Sequence, residues 1–301
     1  MPLDIAALFA GNPLLFAGCV FLLSLLIGSF LNVVIYRMPV MLEREWRAQA
    51  ASLTGSEVPV PEPRRFNLMV PASACPACQA PIRAWQNIPV LSWLVLRGRC
   101  AACKAPISAR YPIVELTTGL LSAWVALRFG YTPSAACALL VTWSLIALTV
   151  IDLDHQLLPD NITLPLMWAG LLAAVIFGGS PDRTLPVGPV TAILGAAAGY
   201  LSLWLVFHVF RLLTGKEGMG YGDFKLFAAL GAWLGWKALP LIILLSAGTG
   251  AVGGIALILF RGRDRAQPMP FGPYLAAAGW LAMMYGDALI SSYLRISGLS
   301  R

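Results

Sequence analysis

Apolar positions in this chain fall in long runs, not in the spaced pattern of a half-buried helix or strand. No charge lies between Asp4 and Arg37, enough for one membrane-crossing helix of about 20 residues. Polar, proline-rich sequence then extends to Arg110. Beyond it the apolar runs resume at Tyr111 to Leu127 (carrying Glu115), Phe129 to Ile151, Asn161 to Gly179, Leu185 to Leu213, Asp223 to Trp236, Ala238 to Phe260 and Phe271 to Ile290. The pattern predicts an all-α polytopic membrane protein of about eight transmembrane helices. A small cytoplasmic insertion is expected between the first and second. The sixth run is the shortest, and whether it fully crosses is left open. The expected organisation is a first span in 1–36, an insertion in 37–110, and a membrane-embedded core of about seven spans in 111–301.

Composition narrows the class. Of the 301 residues, 58% are hydrophobic and 12% charged, against about 25% charged in soluble domains. A soluble fold of this size could not hide so much apolar surface. The first run is not expected to be an ordinary cleaved signal peptide. It lacks a basic leading region and a small-residue cleavage site, and it is too long.

The charge balance of +7 reads as an orientation signal. With the Arg37–Arg110 region in the cytoplasm and strict alternation, 16 of the 21 basic residues are cytoplasmic, as the positive-inside rule requires. Both termini are then periplasmic in a Gram-negative cell. The basic residues are dispersed, so nucleic acid is not an expected partner. Glycine pairs at 195/199, 231/235 and 250/254 permit close helix packing and are assigned no chemistry. Cys19 and Cys137, each alone in an apolar run, read as small core residues.

The other four cysteines are paired. Cys75-Pro-Ala-Cys78 and Cys100-Ala-Ala-Cys103 are two C-x-x-C knuckles separated by 21 residues. That spacing predicts one closed tetrahedral zinc site of four thiolates. It leaves no position for water, so the zinc is structural. The segment between them, Arg83 to Arg99, carries Trp85, Trp93, Leu94 and Leu96, and reads as a membrane-interface surface.

The chain has fourteen acidic residues, and two clusters stand where burial is costly. One is Ile151-Asp152-Leu153-Asp154, continuing to Asp160. The other is Gly218-Met219-Gly220-Tyr221-Gly222-Asp223. An even number of crossings separates Asp152 from Asp223, so both lie at one membrane boundary. Two close carboxylates share a proton, and such a pair can activate water and protonate a leaving amine. Gly218, Gly220 and Gly222 are expected to permit unusual backbone shapes and close substrate approach. Asp154 and Asp160 compete with Asp152; Asp160, after a proline, suits a helix N-cap. The plainer readings are a helix-capping Asp223 and a boundary Asp152. Glu115 reads as a structural hydrogen-bonding residue or an arginine partner. His155 and His208 are the only histidines and no H-E-x-x-H or G-x-S-x-G is present, so metalloprotease and serine-hydrolase chemistry are not expected.

Taken together, the chain resembles the bacterial type IV prepilin peptidases, aspartic proteases of the G-x-G-D class. The resemblance rests on Gly28-Ser29-Phe30-Leu31-Asn32-Val33-Val34-Ile35-Tyr36-Arg37, both knuckles, Ile151 to Asp160, Lys216 to Leu226, and Pro270-Phe271-Gly272-Pro273-Tyr274. It implies cleavage of the basic leader from type IV prepilins and type II secretion pseudopilins at the cytoplasmic face of the inner membrane. It also implies N-methylation of the new terminal residue, usually Phe, with S-adenosylmethionine. By the family's motifs the catalytic dyad is Asp152 and Asp223. No residue can be named for the methyl donor, since no Rossmann-type glycine turn is present. Glu43, Glu45, Glu57 and Glu62 are possible partners for the leader's positive charge. The sequence leaves the oligomeric state open. The rival from another class is a proton-coupled transporter using the same carboxylates.

Overall fold

The computed structural model describes residues 5–55, 65–178, 185–216, 218–261 and 269–296. Among them every regular element is helical, and the chain divides into two compact units, Met1–Tyr131 and Thr132–Arg301. Five segments are long and apolar enough to cross a membrane: Pro13–Thr54, Pro133–His155, Asp160–Phe177, Pro189–Thr214 and Trp236–Ala256.

The first unit holds α1 (Ile5–Gly11), α2 (Pro13–Thr54), the short α3 (Leu91–Val95) and α4 (Arg110–Phe129). Helix α2 does not stop at Arg37, where the apolar run ends. Residues 42–54 are mostly strong helix formers (Leu, Glu, Arg, Ala, Gln), and Pro39 interrupts the chain without ending the helix. The helix stops only at Gly55, whose φ of +67° suits glycine. Arg37 is buried and clamps the chain that follows, donating to the carbonyls of Asn67 (2.9 Å) and Pro71 (2.7 Å). A buried guanidinium needs such partners.

Helices α2 and α4 pack at backbone distance. A Cβ on Gly28 would come 2.7 Å from the Cα of Glu115, and one on Gly119 would meet Leu25 and Phe21 at 2.9 Å. The Asn32 amide donates to the Tyr111 carbonyl at 3.1 Å. Glu115, buried on α4, accepts the Val90 N–H at 2.7 Å. Its role here is the structural hydrogen bond that was one of its two expected readings.

The second unit comprises α5 (Pro133–His155), α6 (Asp160–Phe177), α7 (Pro189–Thr214), α8 (Tyr221–Leu234), α9 (Leu239–Arg261) and α10 (Gly272–Ile296). Helix α5 begins on a Thr132 cap, whose hydroxyl accepts the Ala135 N–H, with Pro133 at its first position. Helix α8 is the centre of this unit. Nearly every residue from Asp223 to Trp233 is buried, as expected for a helix apolar all round. Two of the glycine pairs explain how α7 gets so close to it. Cβ atoms on Gly195 and Gly231 would meet each other's helix at 2.2 and 2.1 Å, and one on Gly199 would meet the Phe227 carbonyl at 2.6 Å. On another side, the Trp233 indole donates to the Leu166 carbonyl of α6 at 2.9 Å across Gly170. Helix α8 ends at Gly235, φ +78°. Cys19 is exposed and Cys137 half-buried, so Cys19 is not the core residue expected of it.

Candidate active site and cysteine cluster

The second unit brings the two acidic clusters together. Asp152 lies in the last turn of α5 and Asp223 in the first turn of α8, and both are buried. Leu158 is the wedge between their surroundings. A Cβ on Gly222, beside Asp223, would meet the Leu158 Cβ at 2.7 Å. One on Gly272 would meet the Leu158 Cδ2 at 3.1 Å and the Asp152 Oδ2 at 2.6 Å. The two carboxylates are within electrostatic reach of each other.

Each carboxylate is fixed through one oxygen by a glycine amide at a helix start. Gly272, first residue of α10, donates its N–H to Asp152 Oδ2 at 3.0 Å. Gly220, capping α8, donates to Asp223 Oδ2 at 3.2 Å. These are N–H groups that a helix start leaves without intrahelical partners, and its dipole favours negative charge. The other oxygen of Asp223, Oδ1, is buried without a hydrogen-bond partner. Such an atom is costly in a native interior. Asp223 is therefore both the capping residue of the plainer reading and half of the carboxylate pair.

The three motif glycines have separate reasons, and none lies in the left-handed region. The expected unusual backbone shapes are absent. Gly222 gives room for Leu158. Gly218 lies against the Phe210 ring, 2.9 Å from where a Cβ would stand. Gly220 has room for a Cβ and contributes its N–H.

The competing acids are placed elsewhere. Asp154 is exposed, two residues past the buried Asp152. Asp160 is the first residue of α6, with Pro159 in the cap position. Its carboxylate takes Lys225 Nζ at 2.6 and 2.7 Å, joining α6 to α8 instead of capping its own helix. His208 stacks on Trp204 and bonds its carbonyl. Glu43 pairs with Arg47 at 2.5 Å and Glu45 accepts from Gln49 at 3.3 Å; Glu57 and Glu62 lie outside the described residues. Gly272, Leu158 and Lys225 lie in the stretches that carry the resemblance, but sequence reasoning gave them no role. A glycine between two prolines ahead of an apolar run was a signal for a helix start with an exposed N–H.

In the first unit the four knuckle cysteines form one cluster, their sulfurs all within 4.8 Å of one another. Both knuckles have the same build. The Cys75 N–H bonds the Ala80 carbonyl and the Gln79 N–H bonds back to the Cys75 carbonyl. Cys100, Ala105 and Lys104 repeat this. Gln79 and Lys104 take the same left-handed conformation, and a single β-bridge closes each loop. The sequence echo, Cys-x-Ala-Cys-x-Ala-Pro twice, is thus one loop used twice. The N–H groups of Cys103 and Ala102 hold the Cys100 thiol down at about 6. The Ala105 N–H acts to lower Cys103, but its neighbours, first Cys78, push it up to about 11. Sulfurs competing for protons in this way form a donor set that a single cation can satisfy.

Two family models match. The bacterial peptidase A24 N-terminal domain covers residues 22–129 and the type IV leader peptidase family covers 139–255. Among curated relatives, a prepilin leader peptidase/N-methyltransferase of Aeromonas salmonicida is 58% identical, over 94% of this chain and 96% of its own. A protein of the same name from Pseudomonas aeruginosa is 52% identical, over 96% and 97%. One from Legionella pneumophila is 47% identical, over 96% and 98%. No solved structure matches the chain. Identity at this level holds along nearly the whole length of both units, which places the chain in the type IV leader peptidase family.

Proposed function

We propose that this chain cuts the basic leader from type IV prepilins and type II secretion pseudopilins and then methylates the new N-terminal residue. The observation carrying the peptidase half is the pair of buried carboxylates, each tied by one oxygen to a glycine amide, with Asp223 Oδ1 unpartnered. In this reading Asp152 and Asp223 are the catalytic residues and share one proton. The ionised member draws a proton from water as the water attacks the scissile carbonyl. The protonated member polarises that carbonyl and then supplies a proton to the leaving amine. The glycine amides hold the spectator oxygens still, so that little reorganisation is needed during reaction. No metal is needed at this site. The transporter alternative is not favoured, since both family models and the relatives' names point to peptidases.

Inner-membrane placement with about eight spans, a cytoplasmic insertion and both termini periplasmic is the topology we propose. Helix α8 has 14 residues, a length of about 21 Å against a hydrocarbon thickness of about 30 Å. Asp223 at its start then lies slightly below the headgroups, where a prepilin's apolar helix meets its polar leader. Methylation, and S-adenosylmethionine as donor, come from the family alone, because no described residue identifies a donor pocket.

The metal proposed for the cysteine cluster is structural zinc. Tetrahedral Zn–S bonds of about 2.3 Å set sulfurs about 3.8 Å apart, and Cys75 Sγ and Cys103 Sγ are 3.8 Å apart. Cys75, Cys78, Cys100 and Cys103 would hold it and leave no position open. A double substitution of Cys75 and Cys78 by Ser is expected to release the metal, read as zinc per protein by mass spectrometry. Unchanged zinc content would remove the assignment.

The activity test follows a synthetic prepilin with purified enzyme. Loss of the leader, and a methyl mass gain only when S-adenosylmethionine is present, are expected. An intact substrate would reject the reading. Asp154→Asn should retain most of the leader release that Asp152→Asn loses, because Asp154 faces outward. Equal losses would mean that the roles are misassigned.

A further inference from the structure

The segment between the two knuckles carries apolar side chains that the first unit does not cover. Leu91, Leu94 and Val95 are 56%, 57% and 67% exposed, and their spacing along α3 puts them on one side. Trp85 and Ile88, from the 3₁₀ turn just before, are also exposed. The other side of α3 is anchored: the Trp93 indole donates to the Ile107 carbonyl at 3.1 Å and its ring lies over Gly98.

The depth of this segment can be read from α2 and α4. Gly28 lies in the charge-free part of α2, nine residues before Arg37, about 13 Å along the helix. It packs against the Glu115 backbone. Glu115 itself is five residues past Arg110, about 7.5 Å into α4. Its carboxylate takes the N–H of Val90, the residue that starts α3. The backbone of Val90 is therefore held beside the second turn of α4, within reach of the apolar run. Val90 has φ +59°, an uncommon value for a β-branched residue, and the Glu115 bond holds the chain there. At the same level α2 presents exposed Leu23, Leu26 and Phe30.

We infer that residues 85–95 are a membrane-seated element, whose Trp85, Ile88, Leu91, Leu94 and Val95 insert at the headgroup–acyl boundary and pin the cysteine cluster to the bilayer surface. The occupant of this apolar face is lipid. Arg83, Arg97 and Arg99 are exposed on either side of it, placed to reach anionic phosphates while their stems lie along apolar surface. A tryptophan at such a boundary is in its preferred environment.

The inference rests on the membrane reading of α2, and the test separates the two. Full-length enzyme carrying photoreactive benzoylphenylalanine at Leu94 is placed in nanodiscs of phosphatidylethanolamine and phosphatidylglycerol, irradiated, and analysed for lipid adducts. Val95 serves as a second position, Leu23 in α2 as the membrane control, and Gln49 in the polar end of α2 as the aqueous control. Retained zinc and leader release verify that each variant is folded. Lipid adducts at Leu94 and Val95 comparable to Leu23, and several-fold above Gln49, are expected. Adducts at Leu23 but not at Leu94 and Val95, or adducts there to another copy or another segment of the chain, would overturn the inference. No adduct at Leu23 would reject the membrane reading itself.

Discussion

Asp152→Asn and Asp223→Asn should each lower the rate of leader release by at least about 10²–10⁴-fold, the usual contribution of a positioned acid or base. Both substitutions keep the shape and the acceptor oxygen, but an amide can neither take nor give the proton. The Gly272 and Gly220 amides can still bond the retained oxygen, so insertion and packing should be preserved. That separates loss of chemistry from loss of fold. The assay is leader release by mass spectrometry on membranes containing matched amounts of enzyme. Near-normal processing by either variant would remove that aspartate from the chemistry.

The second large effect is expected at a residue with no side chain. An added methyl at Gly272 would stand 2.6 Å from Asp152 Oδ2, 3.2 Å from its Cγ and 3.1 Å from Leu158 Cδ2. Real Cβ atoms do not tolerate the first distance, so in Gly272→Ala the carboxylate must move. Misplacing a reacting group by about 1 Å costs about 10²-fold. The loss should fall on kcat with KM little changed, because Gly272 acts through Asp152 and not on the substrate. Gly286→Ala, in the same helix, meets nothing within 4 Å and should be nearly silent. Wild-type kcat in Gly272→Ala would contradict the geometry. A rise in KM alone would move Gly272 to substrate binding.

The sequence carried different parts of this account for different physical reasons. Long apolar runs located the helices of the second unit to within about six residues at either end, because a membrane-embedded helix needs uninterrupted apolarity; the Thr132-Pro133 cap that starts α5 was not read, and that run was begun at Phe129. The pairing of knuckles was legible because C-x-x-C spacing is local. The end of α2 was not. Charge at Arg37 ends a hydrophobic run, whereas a helix ends only where backbone conformation changes, here at Gly55. The partners of the aspartates were hidden for a related reason. Gly272 lies 120 residues from Asp152, and only the fold makes them neighbours. Asp160 shows how a local rule yields to a tertiary contact: its position suited an N-cap, and Lys225 of α8 claims its carboxylate instead.

The central claim is that Asp152 and Asp223 act as one unit. A double-mutant cycle on leader release tests it most directly, comparing Asp152→Asn, Asp223→Asn and the doubly substituted enzyme at equal amounts in the membrane. Residues that act together are grossly non-additive, so the double variant should be no slower than the slower single one. Losses that multiply would show two independent contributions and contradict a shared dyad.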